Sequence, residues 1–75
     1  GYKGRSDIET MTSKYIYIFE FKYNGSVEEA MQQIKSRDYA GRYEMDPRPV
    51  YLIAANYNEE KEERGSQYEI EKLER

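Results

Sequence analysis

The chain has 75 residues, of which 37% are hydrophobic and 36% charged, with a formal net charge of −3. A chain of this size makes one domain, residues 1–75, that buries only about 60–65% of its unfolded surface, so its core must be thin. The absence of cysteine and histidine excludes a disulfide staple, a zinc–thiolate centre and a histidine general base. No apolar run approaches a membrane span, and no signal peptide is visible, so a cytoplasmic location is the default expectation.

The segment GRSDIETMT, Gly4 to Thr12, reads as a first strand, and Ser13-Lys14 as a turn. YIYIFEFKY, Tyr15 to Tyr23, reads as a second strand. Strand side chains alternate faces. Tyr15, Tyr17, Phe19 and Phe21 therefore share one face, while Ile16, Ile18, Glu20 and Lys22 share the other. A two-residue loop pairs Thr12 with Tyr15, and a four-residue loop pairs Met11 with Ile16. Both give the same register, which sets Asp7 opposite Glu20, with Cβ atoms about 4.5–5.5 Å apart. Carboxylates that close repel unless protonated or bridged by a cation. A hard divalent ion is the natural bridge, and Mg²⁺ takes one or two carboxylates plus water. The competing reading makes Glu20 and Lys22 a strand end emerging into water with a weak surface ion pair.

Tyr23-Asn24-Gly25 leads to Ser26-Val27-Glu28-Glu29, a serine N-cap with glutamate three residues on, the pattern of a capping box. Val27, Ala30, Met31 and Ile34 form an i, i+3, i+4, i+7 stripe, which predicts a helix with one side on the sheet. The helix is expected to fray between Arg37 and Gly41, with Gly41 as its C-terminal glycine. Pro47 and Pro49 close the connection. PVYLIAANY, Pro49 to Tyr57, is a nearly continuous apolar run suited to a central strand covered on both faces. Strand, helix, strand implies a right-handed crossover and parallel pairing. NEEKEERGS, Asn58 to Ser66, reads as a solvated loop. SQYEIEKLE, Ser66 to Glu74, alternates in the manner of an edge strand whose charged face opposes aggregation.

Residues 1–50 carry eight basic and eight acidic side chains, so the negative balance comes from the C-terminal third. That argues against tight non-specific nucleic-acid affinity, which phosphate contacts dominate. A local basic rim of Lys3, Arg5, Lys22, Lys35, Arg37 and Arg42 remains an option.

GRSD, YIYIFEFK with its Glu20 thirteen residues after the aspartate, GSVEEAMQQIKSRDYAGRY and PVYLIAANY together resemble the PD-(D/E)XK nuclease superfamily. More narrowly they resemble the nuclease domain behind an AAA-ATPase-like domain in bacterial proteins, notably from Bacteroidetes. The likeness runs from Gly4 to about Leu73. It implies an α+β or α/β restriction-endonuclease-like core: a β-hairpin, a helix and two more strands in a mixed sheet, without the opening helix and strand of the superfamily. It also implies a longer parent with an ATPase domain. By position, Asp7 and Glu20 hold Mg²⁺ or Mn²⁺, Lys22 positions or activates the attacking water, and Gln33 approaches the site. The implied partner is nucleic acid, DNA before RNA. No G-x-x-x-x-G-K-[ST] motif is present, so the ATPase half lies outside this chain. Ser6 stands where the superfamily name has proline.

Other residues carry plainer readings. Glu9 shares the face of Asp7, either as an extra ligand or, the favoured reading, as a solvent-exposed residue near the hairpin end. Gln33 reads as a helix-surface residue unless it serves the site. Tyr39 and Tyr43 read as packing residues. Arg5 either contacts phosphate or balances Asp7 and Glu20. Two function classes follow: metal-dependent phosphodiester hydrolysis in the parent, or a non-catalytic interaction domain retaining the fold. With the opening elements missing, the isolated chain is expected to be inactive. One sheet face is then expected to be bare, and the chain to form a homodimer through it.

Overall fold

The computed structural model describes residues 7–60 and 65–75. Gly4–Ser6 of the expected first strand, Lys3 and Arg5 of the proposed rim, and the middle of the acidic loop lie outside these residues. Four strands form one mixed sheet in the order β1-β2-β3-β4. They are β1 (Ile8–Met11), β2 (Ile16–Tyr23), β3 (Val50–Tyr57) and β4 (Ser66–Lys72), with helices α1 (Val27–Lys35) and α2 (Tyr39–Arg42) between β2 and β3.

The hairpin register is the one predicted, with Ile8 opposite Phe19 and Met11 opposite Ile16. Ser13-Lys14 does not supply the turn chemistry. Thr12 does: its Oγ1 accepts from the backbone N–H of Lys14 at 3.1 Å and of Tyr15 at 2.9 Å. A threonine hydroxyl can hold a turn in this way without the glycine that tight two-residue hairpins favour. At the far end of β2 the chain reverses through Asn24 at φ 58, a left-handed conformation that asparagine tolerates better than most residues.

α1 begins with the predicted capping box: Glu29 N–H donates to Ser26 Oγ at 3.0 Å, and Ser26 N–H donates to Glu29 Oε1 at 3.1 Å. Its stripe of Ala30, Met31 and Ile34 is buried against Ile16 and Ile18 of β2 and Val50, Leu52 and Ala54 of β3. β2 and β3 are parallel, with Ile16 level with Val50 and Glu20 level with Ala54. β4 closes the sheet antiparallel to β3. The core is thus one helix layer on one sheet face. The other face of β3 is only half-buried at Tyr51, Ile53 and Ala55, so the expectation of cover on both faces fails among the described residues.

Two further expectations fail after α1. The helix does not fray toward Gly41; it is capped at Ser36, and a short second helix α2 follows with Asp38 as its N-cap. Gly41 is inside α2 and not at the end of α1. Asp38 Oδ1 accepts from Gly41 N–H at 2.9 Å. A Cβ on Gly41 would fall 2.2 Å from Asp38 Oδ2. The glycine is there to let the cap close, an interaction that short-range periodicity cannot reveal.

The α2–β3 connection is tied to the hairpin. Asp46 accepts from Arg48 at N–H (3.0 Å) and Nε (2.9 Å), and Arg48 Nη1 donates to Thr12 O at 2.7 Å. Arg75 Nη1 donates to the carbonyls of Tyr43 and Asp46, and its Nη2 donates to that of Arg48. Hydrogen bonds from Arg48 lower the Asp46 pKa from 3.8 to about 2. A depressed carboxylate stabilises the fold above its unfolded value and ceases to as pH falls through the folded one. The latch is therefore intact above about pH 4 and is lost between pH 3.8 and about 2. Arg48→Gln should return the Asp46 carboxyl titration toward 3.8, read from its side-chain ¹³C shift. An unchanged midpoint would remove Arg48 as the cause.

Candidate active site

The inner sheet face turns from apolar to charged along β2. Ile16 and Ile18 are fully buried, and the next residue on that face, Glu20, is 1% exposed. One step beyond the Ile8–Phe19 pair, the same register brings Asp7 level with Glu20. The Asp7 side chain is fully buried. Its Oδ2 accepts from the Tyr39 hydroxyl at 2.6 Å and lies 3.5 Å from Arg37 Nε. Tyr39 belongs to the core under the inner face, so Asp7 and Glu20 are on the same side of the sheet, as the register requires.

Lys22 follows Glu20 on this face and is half-buried. With Gln33, Gln32, Glu28, Glu29 and Ser36 it lines an open groove between β2 and α1. Gln33 is also half-buried, and its backbone carbonyl accepts from Arg37 Nη1 at 2.9 Å. The structure thus sets Lys22 and Gln33 in one groove beside the buried Glu20, and it joins Asp7 to α2.

Asp7 Oδ1 is a buried oxygen that accepts no hydrogen bond from the described residues. Glu20, equally buried, has polar contacts of its own. A buried carboxylate oxygen without a donor is costly unless something else compensates it, and a divalent cation is one such group. The donor set is oxygen only, which suits Mg²⁺ or Mn²⁺. Among the described residues no cluster of three or more acidic or histidine groups is available for a metal. A cation here would take the two carboxylates and fill its other positions with water, so the residues fit a hard divalent ion.

Glu9 is not the solvent-exposed residue expected from the sequence. Its side chain is 24% exposed and carries a salt bridge to Arg42. The Tyr43 hydroxyl also donates to it. Burial, first, and then the hydrogen bond to Glu9 push the Tyr43 phenol above its ordinary range, which keeps it a donor at neutral pH. Glu9 is therefore held by α2. Tyr39 and Tyr43 are packing residues, 2% and 8% exposed, but each also donates to a carboxylate of the hairpin. Sequence reasoning missed that role.

The proposed basic rim is largely spent on internal pairs. Lys35 Nζ lies 2.6 Å from Glu71, Arg37 faces Asp7, and Arg42 faces Glu9. Lys22 takes part in no ion pair among the described residues, which leaves its ammonium for the groove.

A buried acidic pair on a hairpin, a lysine two residues after the second acid, and a parallel crossover to the next strand define a nuclease-type core. The chain belongs to the PD-(D/E)XK nuclease superfamily, whose family model matches residues 2–67. It is also 30% identical over 57 residues to an uncharacterized protein encoded in the vnfD 5′ region of Azotobacter chroococcum mcd 1. That match covers 73% of this chain and 11% of the relative, so the chain spans about a tenth of that protein's length. No solved structure gives a significant match. No helix among the described residues is long and apolar enough to cross a membrane.

Proposed function

We propose that this domain hydrolyses phosphodiesters of nucleic acid, DNA before RNA, with a divalent metal held by Asp7 and Glu20. The observation that carries this reading is the fully buried Asp7 carboxylate, level with buried Glu20, with an oxygen that accepts no hydrogen bond among the described residues. Asp7 and Glu20 would hold the divalent ion, which when bound would supply a Lewis acid for the phosphate and lower the pKa of nearby water. Lys22, two residues from Glu20 on the same face, orients the attacking water and offsets negative charge that develops on the phosphate. Gln33, across the groove from Lys22, hydrogen-bonds the water or a phosphate oxygen. As the water oxygen bonds to phosphorus it gives up a proton to solvent, the bond to the leaving sugar oxygen breaks, and that oxygen takes up a proton from solvent, so the step adds one water in all.

The domain works as part of a longer cytoplasmic polypeptide, and the resemblance supports an ATPase domain as its companion. The length of the Azotobacter relative agrees with a larger parent. A second reading, a non-catalytic interaction domain that self-associates as a homodimer, is favoured by one observation: the outer sheet face exposes Phe21 (55%), Ile8 (61%) and Ile70 (56%).

Mn²⁺ titration followed by NMR relaxation tests the metal assignment. In the wild-type chain, broadening should be confined to the surroundings of Asp7 and Glu20 at millimolar metal or below. Asp7→Asn should weaken binding by at least about tenfold, because it removes one of two charged ligands. Equal binding by wild type and Asp7→Asn would exclude Asp7 as a ligand. No localised response in wild type would exclude the site.

A further inference from the structure

Each acidic residue of the hairpin edge meets one tyrosine and one arginine from the segment Arg37–Tyr43. Asp7 meets Tyr39 and Arg37, and Glu9 meets Tyr43 and Arg42. The two pairs are joined, since the Arg42 guanidinium lies 5.3 Å above the Tyr39 ring. Glu9 lies in β1 and Asp7 one residue before it, two positions apart on extended chain, so the carboxylates face the same way and one short segment can hold both.

We propose that Tyr39 is the positioning residue of Asp7. Its phenol occupies Oδ2 and fixes the carboxylate with Oδ1 as the oxygen open to a cation, so that Asp7 ligates through a single oxygen. Arg37 has the opposite effect: it is a competing cation on the same Oδ2. The inference rests on the metal reading above for its ligand, but the positioning of Asp7 does not need a metal. The geometry favours this division of labour. The Tyr39–Asp7 bond is short at 2.6 Å, between a phenol in the core and a fully buried carboxylate. The Arg37 contact is longer, at 3.5 Å, and the Arg37 side chain is 26% exposed, so solvent screens it and a second cation can displace it. Groups that orient a metal ligand in this way change metal affinity by about 10–100-fold when removed.

Four forms of the 75-residue chain test this: wild type, Tyr39→Phe, Tyr43→Phe and Arg37→Gln. In metal-free protein, the Asp7 χ1 couplings should report one rotamer in wild type and Tyr43→Phe, and averaging in Tyr39→Phe. On Mn²⁺ titration, Tyr39→Phe should bind about tenfold more weakly or worse, and Tyr43→Phe within about twofold of wild type. Arg37→Gln should bind about threefold more tightly, because a positive charge near the ion is gone. Tyr43→Phe loses an equivalent buried hydrogen bond to a neighbouring carboxylate, so a merely structural effect would appear in both phenylalanine variants alike. A single Asp7 rotamer in Tyr39→Phe overturns the proposal, as does wild-type Mn²⁺ affinity in that variant. Wild type without metal response, together with averaging in Tyr39→Phe, would sink the metal reading and leave the positioning role standing.

Discussion

Lys22→Ala is expected to reduce phosphodiester cleavage by the full natural polypeptide by about 10²–10³-fold, the usual loss when one group that stabilises transition-state charge is removed. Metal binding should persist or tighten slightly, since a positive charge near the acidic pair is gone. The separation of the two readouts is the point. Lys22 is half-buried in the groove beside Glu20, outside the apolar core, and forms no ion pair among the described residues. Its loss should therefore leave the fold intact. Cleavage of supercoiled DNA and of single strands by wild type and variant, with Mn²⁺ affinity measured in parallel, gives the comparison. Undiminished cleavage would remove Lys22 from the chemistry. Cleavage lost together with metal binding would make Lys22 a structural support of the acidic pair instead.

The hairpin register was legible because two loop lengths converge on it and because strand alternation separates the aromatic face of β2 from its Ile-Ile-Glu-Lys face. The capping box and the Val27-Ala30-Met31-Ile34 stripe were equally plain, since both are short-range patterns tied to helical geometry. β4 was readable from the alternation of Tyr68 and Ile70 with glutamates. What escaped were the long-range polar contacts. Tyr39 meets Asp7, and Tyr43 meets Glu9, across 32 and 34 residues. Nothing in local spacing marks a tyrosine as a donor to a distant strand. α2 escaped because four residues are too few for a hydrophobic period, and because its glycine resembles a helix stop. One signal was available. The run RDYAGRY places two arginine–tyrosine pairs close together in a chain whose first strand carries two acids, Asp7 and Glu9, and charge balance alone could have suggested that they meet. The basic rim was misjudged for the same reason: counting cations ignores the carboxylates already facing them.

The outer face of the sheet should drive self-association. One row crosses all four strands there: Ile8 opposite Phe19, Phe19 level with Ile53, and Ile53 opposite Ile70. Phe21, Ala55 and Tyr68 form the next row, and Tyr23 stacks on Tyr57 at 6.0 Å between ring centres. These rows carry no charged side chain, despite a net charge of −3; the row beyond them, Thr10, Tyr17, Tyr51 and Lys72, carries one. Strands of four, eight, eight and seven residues, at about 3.3 Å per residue and about 4.8 Å apart, present about 430 Å² per copy. A face-to-face pair would bury about 860 Å² in all, below the standard size and in the range of weak association. That size predicts a weak dimer, with dissociation constants on the order of micromolar to millimolar. Sedimentation of the wild-type chain should show weight-average mass rising with concentration over that range. Phe19→Lys with Ile70→Lys places two ammonium groups in the central row, on strands separated by β3, and leaves the inner core untouched. The double variant should remain monomeric at concentrations where wild type is mostly paired, with far-UV circular dichroism unchanged. A wild-type chain that stays monomeric at millimolar concentration, or a double-lysine variant that associates as wild type does, would show that this face does not join two copies.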